Sequence, residues 1–267
     1  MAPPKNTFRG AEMAQMGASS VQRSRWNGLD AIVKTSPSAV ELAFYQHTAP
    51  LLRAAGIHIP ELFSVEHDRL VIERIPHPVT LDDFHSCDTG LAQIAKLHCA
   101  DIPPSTPLKR HGWSQEQTDQ TLALLSLSER CSELLRQCQA CSHTLFHTEQ
   151  IISGDTNSGN WGKRINGDWV LFDWERFGHG HIAIDLAPLI PGMGEISAYS
   201  ALAQRYTRFN PNMDAAVLAH HILLSKAWLV TEVVTLLHQR RNPMLKKYIA
   251  WYNDTLPAWF DHIAEHR

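Results

Sequence analysis

The chain has 267 residues, 44% hydrophobic and 19% charged, enough apolar chain for one large domain or two lobes around a cleft. A formal net charge of −3 leaves no basic excess to displace counterions, which argues against nucleic acid as the main partner. Five cysteines, an odd number without paired spacing, fit a reducing compartment, so a cytoplasmic protein is expected.

In chain order, MAPPKNTFRG lacks the apolar core of a signal peptide, and residues 1–8 are expected to be flexible. The runs SSVQRSRW and LDAIVK flank Asn27-Gly28, a pair that predicts a β-hairpin. SPSAVELAFYQHTAPLLRAAG opens with Ser and Pro and closes on Gly56, so a helix is expected, kinked or split at Pro50. ELFSVEHDRLVIERIP predicts two short strands around a turn at His67-Asp68. Beyond Pro76 the pattern turns helical, over residues 80–102, from about Ser114 to Cys141, and from about Ile184 onward. Between these helices lies a polar loop, SGDTNSGNW, from Ser153 to Trp161. A second hairpin is predicted at Asn166-Gly167, between NWGKRI and DWVLFDW. The expected organisation is a strand-rich lobe over 1–75 and a larger helical lobe over 76–267, with Pro76 and Pro78 stiffening the connection.

Two stretches carry competing expectations. AAVLAHHILLSKAWLVTEVVTLL is the most apolar late segment, but His220, His221, Lys226 and Glu232 interrupt it, which favours a buried helix over a membrane span. Cys131, Cys138, Cys141, His143 and His147 include half a zinc spacing. The same Cys residues fall with Leu134, Leu135 and Leu145 on one helix face, and helix core is the favoured expectation.

The chemistry concentrates around SGDTNSGNW. Phosphoryl transfer from a nucleotide needs a carboxylate beside the acceptor hydroxyl, oxygen ligands for Mg²⁺, and a fixed cation on the phosphates. Asp155 sits on the polar loop, Asn160 follows five residues later, and Asp173 thirteen after that. The intervening hairpin is expected to return Asp173 beside Asn160, where the two can share a metal. Upstream, DAIVK ends a predicted strand on Lys34, and Glu41 in AVELA stands on the next helix, placed to orient that cation.

These motifs, AIVK, VELA, VIERIP, SGDTNSGN, LFDWE and GHIAIDLA, stand in order over roughly residues 10 to 200. In this order the chain resembles the aminoglycoside phosphotransferase and choline kinase family, which has a protein-kinase-like fold. The resemblance implies an α+β, two-lobed architecture, with a small N-terminal antiparallel sheet and a larger, mainly helical C-terminal lobe. It implies Asp155 as catalytic base and Asn160 and Asp173 as Mg²⁺ ligands. It also implies that Lys34 holds the nucleotide phosphates and Glu41 orients Lys34. Backbone groups from Glu73 to Ile75 would hold adenine, and the loop MGASSVQ, with Gly17, Ser19 and Ser20, would cover the phosphates. The implied nucleotide is ATP, with GTP as the alternative. Two departures stand out: Ser153 occupies the family's His position, and the phosphate loop has a single glycine, Gly17.

The leading expectation is therefore a kinase for a hydroxyl on a small molecule, acting as a monomer or weak homodimer, with no nucleic acid or membrane partner. The rivals are a nucleotide-binding pseudokinase acting as a regulatory module, resting on Ser153, and a zinc-stabilised helical protein. Asp185 is expected to be structural, capping the helix it opens. For the acceptor, Glu175 and the late segment with Trp251, Asp254 and Trp259 are candidates, since aromatic faces with carboxylates suit a cationic amine. Packing of those aromatics into the core is the favoured expectation for that segment.

Overall fold

The computed structural model describes residues 20–66, 68–103 and 106–265. The chain forms two compact units, Met1–Arg110 with Glu149–Leu189, and His111–Thr148 with Ile190–Arg267. This division differs from the lobe boundary expected at residue 76: the polar loop after Ile152 packs in the same unit as the N-terminal sheet.

The first unit opens on β1 (Ser20–Trp26) and β2 (Leu29–Thr35), joined at Asn27 and Gly28 with φ of 47° and 85°. That is the two-residue mirror-type turn the dipeptide predicts. Residues β3 (Leu62–Glu66) and β4 (Arg69–Glu73) complete an antiparallel sheet of order β1-β2-β4-β3. Glu66 pairs with Arg69, as expected for a turn at residues 67 and 68; His67 itself lies outside the described residues.

Between β2 and β3 runs the expected helix, in three parts. Ser38 caps α1 (Ala39–Ala43) by accepting from the Glu41 N–H at 3.1 Å. A π turn over Phe44–Thr48 follows, then α2 (Ala49–Ala54). Pro50 explains the split: it has no N–H for the helical ladder and sits in the first turn of α2, where none is needed. Gly56, at φ 81°, ends the helix with the Gly56 and Ile57 N–H groups on the Arg53 and Leu52 carbonyls.

The segment after β4 contains β5 (His77–Pro78), α3 (Leu81–Ser86) and α4 (Thr89–His98). The single helical stretch expected over 80–102 is broken at Cys87, which is extended. After β6 (Lys109–Arg110), the unit resumes with β7 (Ile151–Ile152), β8 (Trp161–Lys163), β9 (Trp169–Leu171), β10 (Gly178–His179) and α8 (Ala183–Leu186). β8 and β9 form the second hairpin, but its loop is wider than a two-residue turn. The Arg164 N–H reaches the Asp168 carbonyl at 2.9 Å, leaving residues 165–167 between them. Asn166 contributes through its side chain, which accepts from the Asp168 N–H, and Gly167 takes the left-handed conformation, φ 90°.

Phe44 stacks on Trp174 at 4.1 Å and meets Phe177 edge-on at 4.8 Å. All three are fully buried, each contributing about 1.5–3 kcal/mol relative to exposure. The stack joins the π turn to the residue after Asp173.

The second unit is helical: α5 (Gln115–Leu124), α6 (Glu129–Ala140), α7 (His143–Phe146), α9 (Ile196–Thr207), α10 (Ala215–Gln239) and α11 (Leu245–Glu265). The continuous helix expected from Ser114 to Cys141 is two helices, because Leu125 turns extended and Ser128 caps a new start. Cys131 and Cys138 are buried on α6 with Leu134 and Leu135, whereas Cys141 is exposed. Among the described residues, no group of three or more His, Cys, Asp or Glu is placed to hold a metal; Cys131 and Cys138 pack as core, and Cys141 does not. α10 is long and apolar enough to cross a membrane by length and composition, yet 67% of that stretch is buried against its neighbours. Lys226 lies inside it, with Nζ donating to the Ile190 carbonyl at 2.7 Å.

Candidate active site

Two of the elements around the site are set by local sequence. Lys34 is the penultimate residue of β2, and the Ser38 cap starts α1 so that Glu41 in its first turn meets it. Lys34 Nζ lies 2.5 Å from Glu41 Oε1 and 2.7 Å from Asp173 Oδ1. Burial alone would lower the Lys34 pKa, but the two carboxylates outweigh it and the net shift is upward, so the ammonium stays charged. Burial drives the Glu41 carboxyl up, Lys34 pulls it back, and Asp173 and Glu175 add to the rise. Among the described residues, Glu41 Oε2 is buried without a hydrogen-bond partner, as is the hydroxyl of Tyr45 one turn along the helix. The Tyr45 hydroxyl is pushed well above its usual range by burial, with Glu41 and Asp173 adding to the effect.

Asp173 follows β9 and is left-handed, φ 67°, a conformation Asp tolerates better than most residues. The Phe172 N–H donates to the Asn160 carbonyl at 3.0 Å. The hairpin thus returns Asp173 beside Asn160, as the sequence suggests.

The loop from Ser153 to Asn160 is held from below. The fully buried carboxylate of Asp185 accepts from the Ser153 and Gly154 N–H groups, both at 2.8 Å, and lies 3.1 Å from His98 Nε2. Thr156 Oγ1 donates to the Asp185 carbonyl, and Trp161 Nε1 to the Thr156 carbonyl. Asp185 lies within α8 and ties the loop; it does not cap the helix, whose N-cap position is Ile182 with no side-chain bond. Within the loop, Asn157 Nδ2 donates to Asp155 Oδ1 at 2.6 Å, and Asn160 Nδ2 to the Asp155 carbonyl at 3.0 Å. Asn160 therefore fixes the backbone of Asp155 with its amide nitrogen and leaves its oxygen outside that bond.

Burial raises the Asp155 carboxyl above its ordinary value. Arg176 and the Asn157 amide oppose the rise, and Asp173 adds to it. Arg176 also donates from Nε to the Gly154 carbonyl at 3.1 Å. The site thus gathers four acidic side chains, Glu41, Asp155, Asp173 and Glu175, with two cationic ones, Lys34 and Arg176. An Asn oxygen and an Asp carboxylate beside each other, in a negative surplus, suit a hard divalent ion that completes its shell with phosphate oxygens and water.

The family model for the phosphotransferase enzyme family matches residues 14–218. The chain belongs to that family. Phosphoryl transfer is accordingly its class of reaction. Among solved structures it is similar to APH(2″)-IIa in complex with gentamicin, at 14% identity over 97% of this chain and 99% of that one, with a TM-score of 0.60. A streptomycin–ATP ternary complex of APH(2″)-IIa matches with a TM-score of 0.57, also at 14% identity over 97% and 99%. Macrolide 2′-phosphotransferase MphH from Brachybacterium faecium matches at 13% identity over 90% of each chain, TM-score 0.60. A choline/ethanolamine kinase family protein from Mesorhizobium loti matches at 13% identity over 94% of each chain, TM-score 0.58. No curated protein matches the sequence. The fold is α+β and kinase-like, with a small N-terminal antiparallel sheet followed by mainly helical chain.

Lys34, Glu41, Asp155, Asn160 and Asp173 all fall within one compact unit. The Asp173 carboxylate contacts Lys34 directly, and Asn160 braces Asp155. Gly17 and Ser19 lie outside the described residues; Ser20 opens β1, exposed and paired with Thr35. The Glu73 side chain is engaged by Arg164, while the backbone N–H and carbonyl of Ile75 make no hydrogen bond among the described residues. Trp251, Asp254 and Trp259 belong to the other unit. There Trp259 is core, with Nε1 donating to Tyr199 Oη at 3.2 Å, Trp251 is half-buried, and Asp254 is exposed.

The sequence reasoning did not single out Arg176, Asn157, His98 or Tyr45. Arg176, three residues past Asp173, was within reach as the cation nearest that carboxylate. No pattern in the chain ties His98 to a residue 87 positions away.

Proposed function

We propose that the protein is an ATP-dependent kinase that transfers the γ-phosphate to a hydroxyl of a small, amine-bearing molecule. The observation that carries this reading is Lys34 held between Glu41 and Asp173, with Asp155 braced by Asn160 on the adjoining loop. Asp155 orients the acceptor hydroxyl and takes its proton, a role its raised pKa suits. Lys34 meets the nucleotide phosphates as a fixed positive charge, pre-aimed by Glu41. Asn160 and Asp173 would hold Mg²⁺, which supplies charge neutralisation on the transferring phosphoryl group when bound. Arg176 opposes the burial-driven rise of the Asp155 pKa, which favours the ionised, base-competent form. The Ile75 backbone offers adenine one donor and one acceptor. Gly17, Ser19 and Ser20 are proposed to cover the phosphates.

The Asp185 anchor supports competence of the loop despite Ser153, because the Ser153 and Gly154 amides are fixed by a side chain outside the loop. The surplus of carboxylates at the site, with Glu175 among them, supports a cationic acceptor. So do the relatives, whose names include gentamicin, streptomycin and choline/ethanolamine. Trp251 and Asp254 are proposed acceptor contacts, with Trp259 supporting them from the core. A cytoplasmic monomer or weak dimer fits this reading.

A phosphotransfer screen over hydroxylated amines and antibiotics, with ATP and with GTP, tests it. Turnover that disappears in Asp155→Asn supports the reading. Nucleotide binding without turnover for any acceptor would favour a regulatory pseudokinase, and absence of nucleotide binding would end the proposal.

A further inference from the structure

The stretch from Glu73 to Val79 is fastened residue by residue to the chain that leaves Asn160. Arg164 Nε and Nη2 meet Glu73 Oε1 and Oε2 at 2.8 and 2.7 Å, a two-pronged pairing that Lys cannot reproduce. Arg164 Nη2 also reaches the Ile59 carbonyl at 3.2 Å. The other side of Glu73 is closed by Glu61, whose N–H donates to Glu73 Oε2 at 3.1 Å and whose carbonyl accepts the Glu73 N–H at 2.8 Å. Burial alone would raise the Glu73 carboxyl, but the bonds from Arg164 and the Glu61 N–H outweigh it and hold it below the usual carboxylate range.

The neighbouring residues are fixed as closely. His77 and Pro78 pair with Lys163 and Gly162, and the Val79 N–H donates to the Trp161 carbonyl at 3.2 Å. Gly162 permits Ile75 to lie against the strand: a Cβ there would stand 2.5 Å from Ile75 Cγ2 and 3.0 Å from the His77 carbonyl oxygen. Lys163 Nζ bonds Asp83 Oδ1 at 2.7 Å and lies over the Trp169 ring at 4.9 Å. Each residue from 161 to 164 thus grips a residue between 73 and 83. Asn160 immediately precedes this run.

We propose that Arg164 is a positioning residue for the nucleotide, fixing the Ile75 backbone through its fork on Glu73. This role rests on the reading of Ile75 as the adenine contact. Ile75 is bracketed by the Glu73–Arg164 fork on one side and by the His77–Lys163 pairing on the other. Loosening the fork frees the bracket at one end without touching the phosphates, the metal ligands or the base.

The test uses the full chain with Arg164→Gln and Arg164→Lys. Amide exchange at Glu73 and Arg74, read without nucleotide, is expected to speed up in Arg164→Gln. The MgATP dissociation constant, read by calorimetry, is expected to rise about tenfold in Arg164→Gln and about threefold in Arg164→Lys, with kcat at saturating nucleotide and acceptor KM within about twofold of wild type. A lower melting temperature with unchanged nucleotide affinity makes Arg164 merely structural and overturns the proposal. Unchanged exchange at Glu73 and Arg74 overturns it as well. If Arg164→Gln does not fold, the affinity of Arg164→Lys decides by the same criterion. Wild-type protein that binds no nucleotide overturns the function proposed above and this role together, whereas variants that bind like wild type overturn this role alone.

Discussion

Two buried carboxylate clusters in the same unit have opposite character. Around Asp185 the bonding is closed: two backbone N–H groups and an imidazole meet one carboxylate. Around Lys34 it is open: Glu41 and Asp173 share a single ammonium, Glu175 adds negative charge beside Glu41, and among the described residues both Glu41 Oε2 and the Tyr45 hydroxyl are left without partners. A satisfied buried carboxylate stabilises a loop. An over-supplied one raises pKa values and holds a cation under tension from several sides. The first cluster builds the place where Asp155 stands, and the second furnishes the charge that chemistry there can use.

The contrast breaks first at Asp155. Asp155→Asn is expected to lower kcat about 10²- to 10⁴-fold while leaving nucleotide affinity within about twofold, measured by steady-state kinetics and calorimetry. Comparable turnover in the two proteins would move the base elsewhere. Asp185→Ala should do the reverse in kind, harming the scaffold before the chemistry. It orphans the buried Ser153 and Gly154 amides and removes one partner of His98, so a loss on the order of 3–5 kcal/mol is expected, seen as a melting temperature about 10 °C lower. A melting curve that overlays wild type would erase the distinction between the clusters.

Arg176→Gln sharpens the comparison through pH. Arg176 lowers the Asp155 pKa, so its removal lets burial raise that pKa further. A base works deprotonated, so the acid limb of kcat/KM should move to higher pH. A limb that stays in place, or moves down, would separate Arg176 from the base. The smallest effect belongs to Tyr45→Phe. The hydroxyl makes no bond among the described residues, so its removal should change stability by no more than about 0.5 kcal/mol in denaturant titration. A loss well beyond that would mean the hydroxyl is satisfied and the cluster less open than described.

The open cluster was largely legible in the sequence because its members are chemically marked and sit on predictable elements. Lys34 ends an alternating strand, Glu41 follows a Ser-Pro-Ser helix start, and Asp155 and Asn160 share a loop too polar to be core. The Asn166-Gly167 dipeptide announced the return that brings Asp173 home, although not the three-residue loop that performs it. The closed cluster was half legible. Asp185 was expected to be structural, but its partners are amides 31 and 32 residues away and an imidazole 87 residues away, and no local pattern encodes such distances. Helix breaks at Cys87 and Leu125 were missed because apolar spacing continues through them. Trp259 illustrates the limit for substrate residues: its aromatic type suits both a binding face and a core, and only the bond to Tyr199 places it in the core.

The π turn at Phe44–Thr48 has a consequence for anyone editing this gene. A wide turn holds one residue more than the α turn it replaces. Flanking segments keep their mutual phase if that extra residue is removed, because the ladder simply closes from a five-residue to a four-residue step. The helix is therefore two cylinders spliced with one spare unit at the joint. A single-residue deletion there, at Gln46, should leave both Glu41 and Leu52 in place and keep Phe44 and Tyr45. The same deletion one turn earlier would swing Glu41 off Lys34. Tolerance to a shortened chain should thus change abruptly between neighbouring codons.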